Sequence, residues 1–209
     1  MSTVLPALKK APALTRRFLA AAACAFMLAA GSAQAQPVAD KSVPYSDPKY
    51  LFRLAYPAGW RQVPSDIPYT VLAVDNGASG VGRQTVSVRV YALADSNYAD
   101  PAEFVFQFLS GVEDGGGLDG LTENHPLKDV FPDIKALEYG ESSVGGKSAF
   151  YIVSQYQSKE DGVETPWSVV QLLTMRGDDV FELSYSARAA DFPKQKPALA
   201  AIIETFAFE

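Results

Sequence analysis

Residues 144–188 read VGGKSAFYIVSQYQSKEDGVETPWSVVQLLTMRGDDVFELSYSAR, and they decide the fold. Three runs rich in β-branched and aromatic residues, 147–157, 165–175 and 179–186, are parted by Glu160-Asp161-Gly162 and Gly177-Asp178. Connections this short join only antiparallel neighbours, so the runs predict a meander. The middle run carries Trp167, Val169, Leu173 and Met175 on one parity and Val170 and Leu172 on the other. A strand apolar on both faces needs cover on both, which places it inside a sheet.

Working outward, Gly145-Gly146 predicts a hairpin turn, preceded by a strand over 134–144. Residues 50–56 alternate Phe52, Leu54 and Tyr56 against Leu51, Arg53 and Ala55, then stop at Pro57-Ala58-Gly59. That turn delivers Trp60, read as a core plug at a strand end. Two more strands follow at 69–75 and 84–93, on either side of the glycine-bearing loop 76–82. In the second of these, Val86, Val88 and Val90 face one way and Ser87, Arg89 and Tyr91 the other. Asp100-Pro101-Ala102-Glu103 has the N-cap, first-turn proline and first-turn acid of a helix start. Phe104, Val105, Phe108, Leu109 and Val112 then fall on one helical stripe, predicted to lie across the sheet. Residues 113–120, acidic and glycine-rich, predict a mobile loop. A last helix, from 194 or 197 to 205, presents Leu199, Ile202, Ile203 and Phe206. The order β-β-β-α-β-β-β-β-α is an α+β domain, a largely antiparallel sheet of about six to seven strands with helices packed on it.

The first 35 residues read as an export signal. Lys9, Lys10, Arg16 and Arg17 form a basic leader, 18–30 is an apolar run, and Ala33-Gln34-Ala35 offers a cleavage point before Gln36. The apolar run is shorter than the roughly 20 residues that span a membrane. Thr15-Arg16-Arg17-Phe18-Leu19 lacks the spacer of a twin-arginine signal, so Sec-type export to the periplasm is expected. Lipid anchoring at Cys24 is disfavoured, because Ala21 stands where such signals carry leucine and cleavage there would leave an apolar stub at 25–30. Removing the leader leaves 14 basic against 24 acidic residues, a net charge of −10. That sign argues against non-specific binding to nucleic acid or anionic lipid. The single cysteine leaves with the leader, so no disulfide is expected. The organisation expected is therefore a signal peptide at 1–35, an extended arm with three prolines at 36–49, and one domain over 50–209 with no transmembrane segment.

The alternating strand closing on Tyr56-Pro57-Ala58-Gly59-Trp60, the turn Val144-Gly145-Gly146-Lys147-Ser148-Ala149, the run Phe181-Glu182-Leu183-Ser184-Tyr185-Ser186-Ala187 and a final helix ending in Thr205-Phe206 together resemble the PsbP/DcrB-like family. The resemblance implies a PsbP-like α/β/α sandwich. The group includes the extrinsic PsbP subunit of photosystem II, which helps retain calcium and chloride, bacterial envelope proteins such as DcrB, and a eukaryotic Ran-binding transport factor. None is known for catalysis, so the resemblance implies a non-enzymatic accessory or binding protein without a cofactor. The lipid anchor typical of DcrB is not expected here, and none of the metal-site residues of PsbP matches a position in this sequence.

The reactive inventory is short. His125 is the only histidine, beside Pro126, and reads as a loop residue rather than a catalytic base. Gly77-Ala78-Ser79-Gly80-Val81 misses a nucleophile elbow by one position. Gly146-Lys147-Ser148 resembles the end of a phosphate-binding loop, but Glu141 occupies the place of the first glycine and a strand follows where a helix must begin. Arg176-Gly177-Asp178 matches an integrin-binding tripeptide and also ordinary turn chemistry. Asp114 and Asp119, in the acidic loop with Glu113 and Glu123, are candidate calcium ligands set against a solvated loop, since their spacing is not that of an EF-hand. The more informative pattern is polar parity. Ser87, Arg89 and Tyr91 share one face of their strand, and Glu182, Ser184 and Ser186 share one face of theirs. On a common side of the sheet, Arg89, Tyr91, Glu182 and Ser184 would form a ligand or partner surface, and the alternative is a solvent-facing half-sheet. The function expected is an accessory that docks a membrane or envelope complex. A periplasmic carrier of a small molecule or lipid is the second reading and a carboxylate-based hydrolase the third.

Overall fold

The computed structural model describes residues 42–79, 82–92, 117–160 and 162–209. The leader expected at 1–35, the helix expected from Asp100, and Asp114 lie outside the described residues. The strands are β1 (Ser42–Asp47), β2 (Phe52–Pro57), β3 (Arg61–Gln62), β4 (Thr70–Asp75), β5 (Gln84–Ala92), β6 (Lys135–Val144), β7 (Lys147–Glu160), β8 (Val163–Arg176), β9 (Asp179–Arg188) and β10 (Ala207–Phe208). Two described helices, α1 (Gly117–Glu123) and α2 (Phe192–Glu204), join them. Seven strands form one antiparallel sheet in the order β3-β4-β5-β9-β8-β7-β6, and β1-β2-β10 form a second, smaller one. The class is α+β, as the periodicity requires.

The meander stands in register, with Phe150 opposite Leu173 and Leu172 opposite Leu183. β8 lies inside the sheet, and eight consecutive residues from Trp167 to Thr174 are buried. Gly145 and Gly146, at φ +57° and +75°, supply the left-handed pair that a two-residue hairpin needs. A Cβ on Gly145 would also stand 3.2 Å from the Phe206 ring, a tight approach to which that ring would have to yield.

The structure departs from the sequence expectation at three places. The strand at Phe52–Pro57 is the centre of the second sheet, paired on one side by Ser42–Asp47 from the expected arm and on the other by Ala207–Phe208. The acidic loop expected over 113–120 instead gives way at Gly117 to α1, whose Leu121 is buried and provides the apolar contact that holds this short helix. The last helix begins at Phe192, earlier than 194, with a proline in its first turn where the missing N–H costs nothing.

Each face of the main sheet has its own cover. On one, Val86, Val88, Phe181, Leu183 and Tyr185 pack against Phe52, Leu54 and Tyr56 of the small sheet and against Ile202 and Phe206. Trp60 packs on the same core. Burying each large side chain there is worth about 1.5–3 kcal/mol. Tyr185 also donates its hydroxyl to Gln195 Oε1 at 3.2 Å, fixing α2 across β9. On the opposite face lie two smaller clusters, one around Leu121, Phe150, Ile152 and Leu173, the other around Leu127, Ile134, Tyr156 and Trp167. Arg176 ties the two sheets together, donating to the carbonyls of Tyr50 and Leu51 while its guanidinium lies over Phe208 at 5.2 Å. The arginine of the Arg-Gly-Asp tripeptide is thus engaged within the fold.

Candidate functional site

The polar parity resolves into a single row. β5 pairs with β9, which sets Arg89 opposite Glu182 and Ser87 opposite Ser184. Directly opposed residues share a face, so all four project to the side that carries α1. Arg89 Nη1 donates to Glu182 Oε1 at 3.2 Å and Oε2 at 3.0 Å, and Arg89 Nε donates to the Pro68 carbonyl at 3.1 Å. The Ser87 and Ser184 hydroxyls lie 2.7 Å apart. Arg89 is 6% exposed and Glu182 fully buried, so the row is neither a solvent-facing half-sheet nor an open groove. Its polar groups are directed at one another.

Two partners escaped the sequence reading. Gln171, fully buried, donates Nε2 to Glu182 Oε1 at 2.9 Å. Its signal was a lone amide within Val169-Val170-Gln171-Leu172-Leu173, which reads as apolar strand. His125 lies in the turn after α1 but is 3% exposed. Its Nε2 is 2.9 Å from Ser154 Oγ, and Nδ1 accepts the Leu127 N–H at 3.1 Å. That acceptor role puts the imidazole proton on Nε2. Burial, then Lys128, then Arg89, press its pKa down to about 3. A serine and a histidine at this distance have the parts of a nucleophile and its base. Here the tautomer is the reverse of what base catalysis needs, because Nε2 already holds the proton.

Tyr91 follows Arg89 on the same face of β5 and packs against the cluster around Leu121, Phe150 and Val180. Arg89 stands 5.7 Å from its ring centroid, and the Tyr69 ring centroid lies 6.2 Å away. Burial, then Glu182, push the Tyr91 phenol up. Tyr69 is 67% exposed with a backbone φ of +65°, a left-handed conformation that is strained for an aromatic residue. It is held by the Val90 N–H, which donates to its carbonyl at 3.1 Å. Asp119 sits exposed in the first turn of α1, and among the described residues no three carboxylate, histidine or cysteine side chains gather as a metal site.

The family model for PsbP matches residues 41–208. No curated protein matches the chain in sequence. Among solved structures, the cyanobacterial PsbP (CyanoP) of Synechocystis sp. PCC 6803 is similar at TM-score 0.52 and 14% identity, covering 80% of this chain and 92% of its own. LpqN of Mycobacterium tuberculosis, described as involved in cell envelope biogenesis, is similar at TM-score 0.50 and 19% identity, covering 81% of this chain and 86% of its own. At these identities the two likenesses show the fold alone.

Proposed function

The chain belongs to the PsbP family, and from that premise we propose that it is an exported, non-enzymatic accessory protein that docks a membrane or envelope complex. The observation that carries the reading is the family match across residues 41–208. The cell envelope is taken as its setting from the leader-like segment at 1–35 and from the role named for LpqN. Within this reading Arg89, Glu182 and Ser184 keep the strands rigid, partly buried Tyr91 backs the site, and exposed Tyr69 forms the contact. An exposed aromatic on a strained, pinned backbone is preorganised and loses little freedom on binding.

Crosslinking in intact cells followed by pull-down tests it. One membrane or envelope protein should be recovered with the wild-type chain and lost with Tyr69→Ala. Recovery of no partner, together with turnover on a panel of glycosides, overturns the reading.

A carrier function has one observation in its favour, a depression of about 300 Å³ bordered by Asp133, Lys135, Leu137, Gln155, Tyr156 and Gln157. The lining sets charged and amide groups beside Leu137 and Tyr156, which suits a small molecule with a polar end. Native mass spectrometry of the protein taken from cells, showing a bound small molecule of fixed mass, would favour it.

A further inference from the structure

Residues 117–134 are fastened to the sheet differently from the sheet's own strands. β7, β8 and β9 are held by continuous ladders. The segment from α1 to the start of β6 contributes no strand, and its backbone bonds stay local, as in Asn124 N–H to the Gly120 carbonyl, Lys128 N–H to His125 and Phe131 N–H to Leu127. It is attached by side chains: Leu121, Leu127 and Ile134 in the apolar clusters, Thr122 Oγ1 accepting the Ala136 N–H at 2.9 Å, Asp133 accepting the Gln157 N–H at 2.7 Å, and His125 on Ser154. Segments attached in this way open locally before a ladder does.

At the centre of these attachments is a group that must stay neutral. Nδ1 of His125 accepts the Leu127 N–H, so a proton added there sets two donors face to face in a buried turn. The charged and titratable groups around it oppose a second charge. Arg89 from β5 and Lys128 from its own turn are cationic and lower its proton affinity, while Gln171 from β8 offers partial support. Glu182 from β9 is engaged with Arg89 and Gln171. Ser154 from β7 is neutral and already bonded to Nε2.

We infer that residues 117–134 form an acid-released latch, held on the sheet by neutral His125 and let go when the imidazole takes up a proton, with the meander left intact beneath. Release withdraws the imidazole from Ser154 and frees the neighbourhood of Gln171. The proposal stands apart from the docking function, since it concerns what holds the segment down and not what binds the protein.

Hydrogen exchange on the intact protein at pH 7, 6 and 5, corrected for the intrinsic pH dependence, tests it. The open segment binds a proton with an ordinary histidine pKa of about 6.5 and the closed one at about 3, so the open fraction should rise about 25-fold between pH 7 and pH 5. The amides of Asn124, Lys128 and Phe131 should lose protection by that factor while amides of β7 to β9 keep theirs. His125→Asn, whose Oδ1 can replace Nδ1 as an acceptor without titrating, should abolish the pH dependence. Loss of protection by the segment and the meander together overturns the inference, as does an unchanged pH response in His125→Asn. The single histidine also gives an independent reading by NMR in the wild-type protein, and titration near 6.5 without loss of segment protection overturns it too.

Discussion

Replacing Arg89 by methionine removes one side of a pair that is out of contact with water. Glu182, fully buried, would keep only the Gln171 amide as a donor, and the Pro68 carbonyl would lose its partner. An uncompensated buried charge of this kind costs about 3–5 kcal/mol, well above the value of an exposed ion pair. In a domain of this size that lowers the melting temperature by roughly 10 °C. Adding Glu182→Gln removes the second charge and keeps an acceptor for Gln171, so the double variant should recover at least about 2 kcal/mol relative to Arg89→Met alone. Urea unfolding at pH 7, followed by the fluorescence of Trp60 and Trp167, measures all three proteins. A single variant that loses less than about 1 kcal/mol, or a double variant no more stable than the single, would mean that the pair is solvated. The row would then be an open surface and the account of the sheet face would be wrong.

Three further outcomes follow from other parts of the fold. Gly145→Ala should lose about 1–3 kcal/mol in the same unfolding assay, because φ is +57° and the new Cβ meets Phe206 at 3.2 Å; unchanged stability would refute the close packing of that turn. Arg176→Lys should lose about 2 kcal/mol despite keeping its charge, since one ammonium does not reproduce a fork that reaches two carbonyls and lies over Phe208; full stability in the lysine variant would refute this. Tyr45 is pushed up to about 12 by burial and then by Asp47, and Tyr91 and Tyr185 are raised chiefly by burial. Their unfolded forms lose protons from about pH 10 while the folded forms hold theirs, so stability should fall as pH rises above 10; urea midpoints that stay flat from pH 8 to 10.5 would refute it.

The meander was legible because period-two alternation and glycine turns are local signals, and Gly145-Gly146 and Gly177 sit where the strands reverse. The second sheet was not. Its outer strands are Ser42–Asp47, which carries Pro44, and the two-residue Ala207–Phe208. Both depend on pairing with β2 and have little strand character of their own. The site was half legible. Alternation placed Arg89 and Glu182 on faces, but the same alternation describes a wet face and a buried one, and only the cover distinguishes them. Gln171 was hidden by the apolar residues that flank it. His125 looked like a loop residue because Pro126 follows it, and its burial comes from Leu121, Leu127 and Ile134 carrying the whole turn onto the sheet.

That buried row has a structural consequence of its own. β5 and β9 meet across 93 residues of sequence, so no turn sets their register. On the apolar face, Val86, Val88 and Val90 oppose Tyr185, Leu183 and Phe181, and a slip by two residues would still match apolar with apolar. On the polar face the same slip sets Arg89 opposite Ser184 or Val180 and strands Glu182 without its cation. The ion pair therefore selects one register among those the apolar face would accept, which is the best-attested use of a buried charge pair. Arg89→Met combined with Glu182→Gln should then restore stability while loosening that selection. In the double variant, β5 amides should show a second set of NMR resonances, and the wild type a single set. One sharp set in both proteins would mean that packing against Phe52 and Leu72 fixes the register without help from the charges.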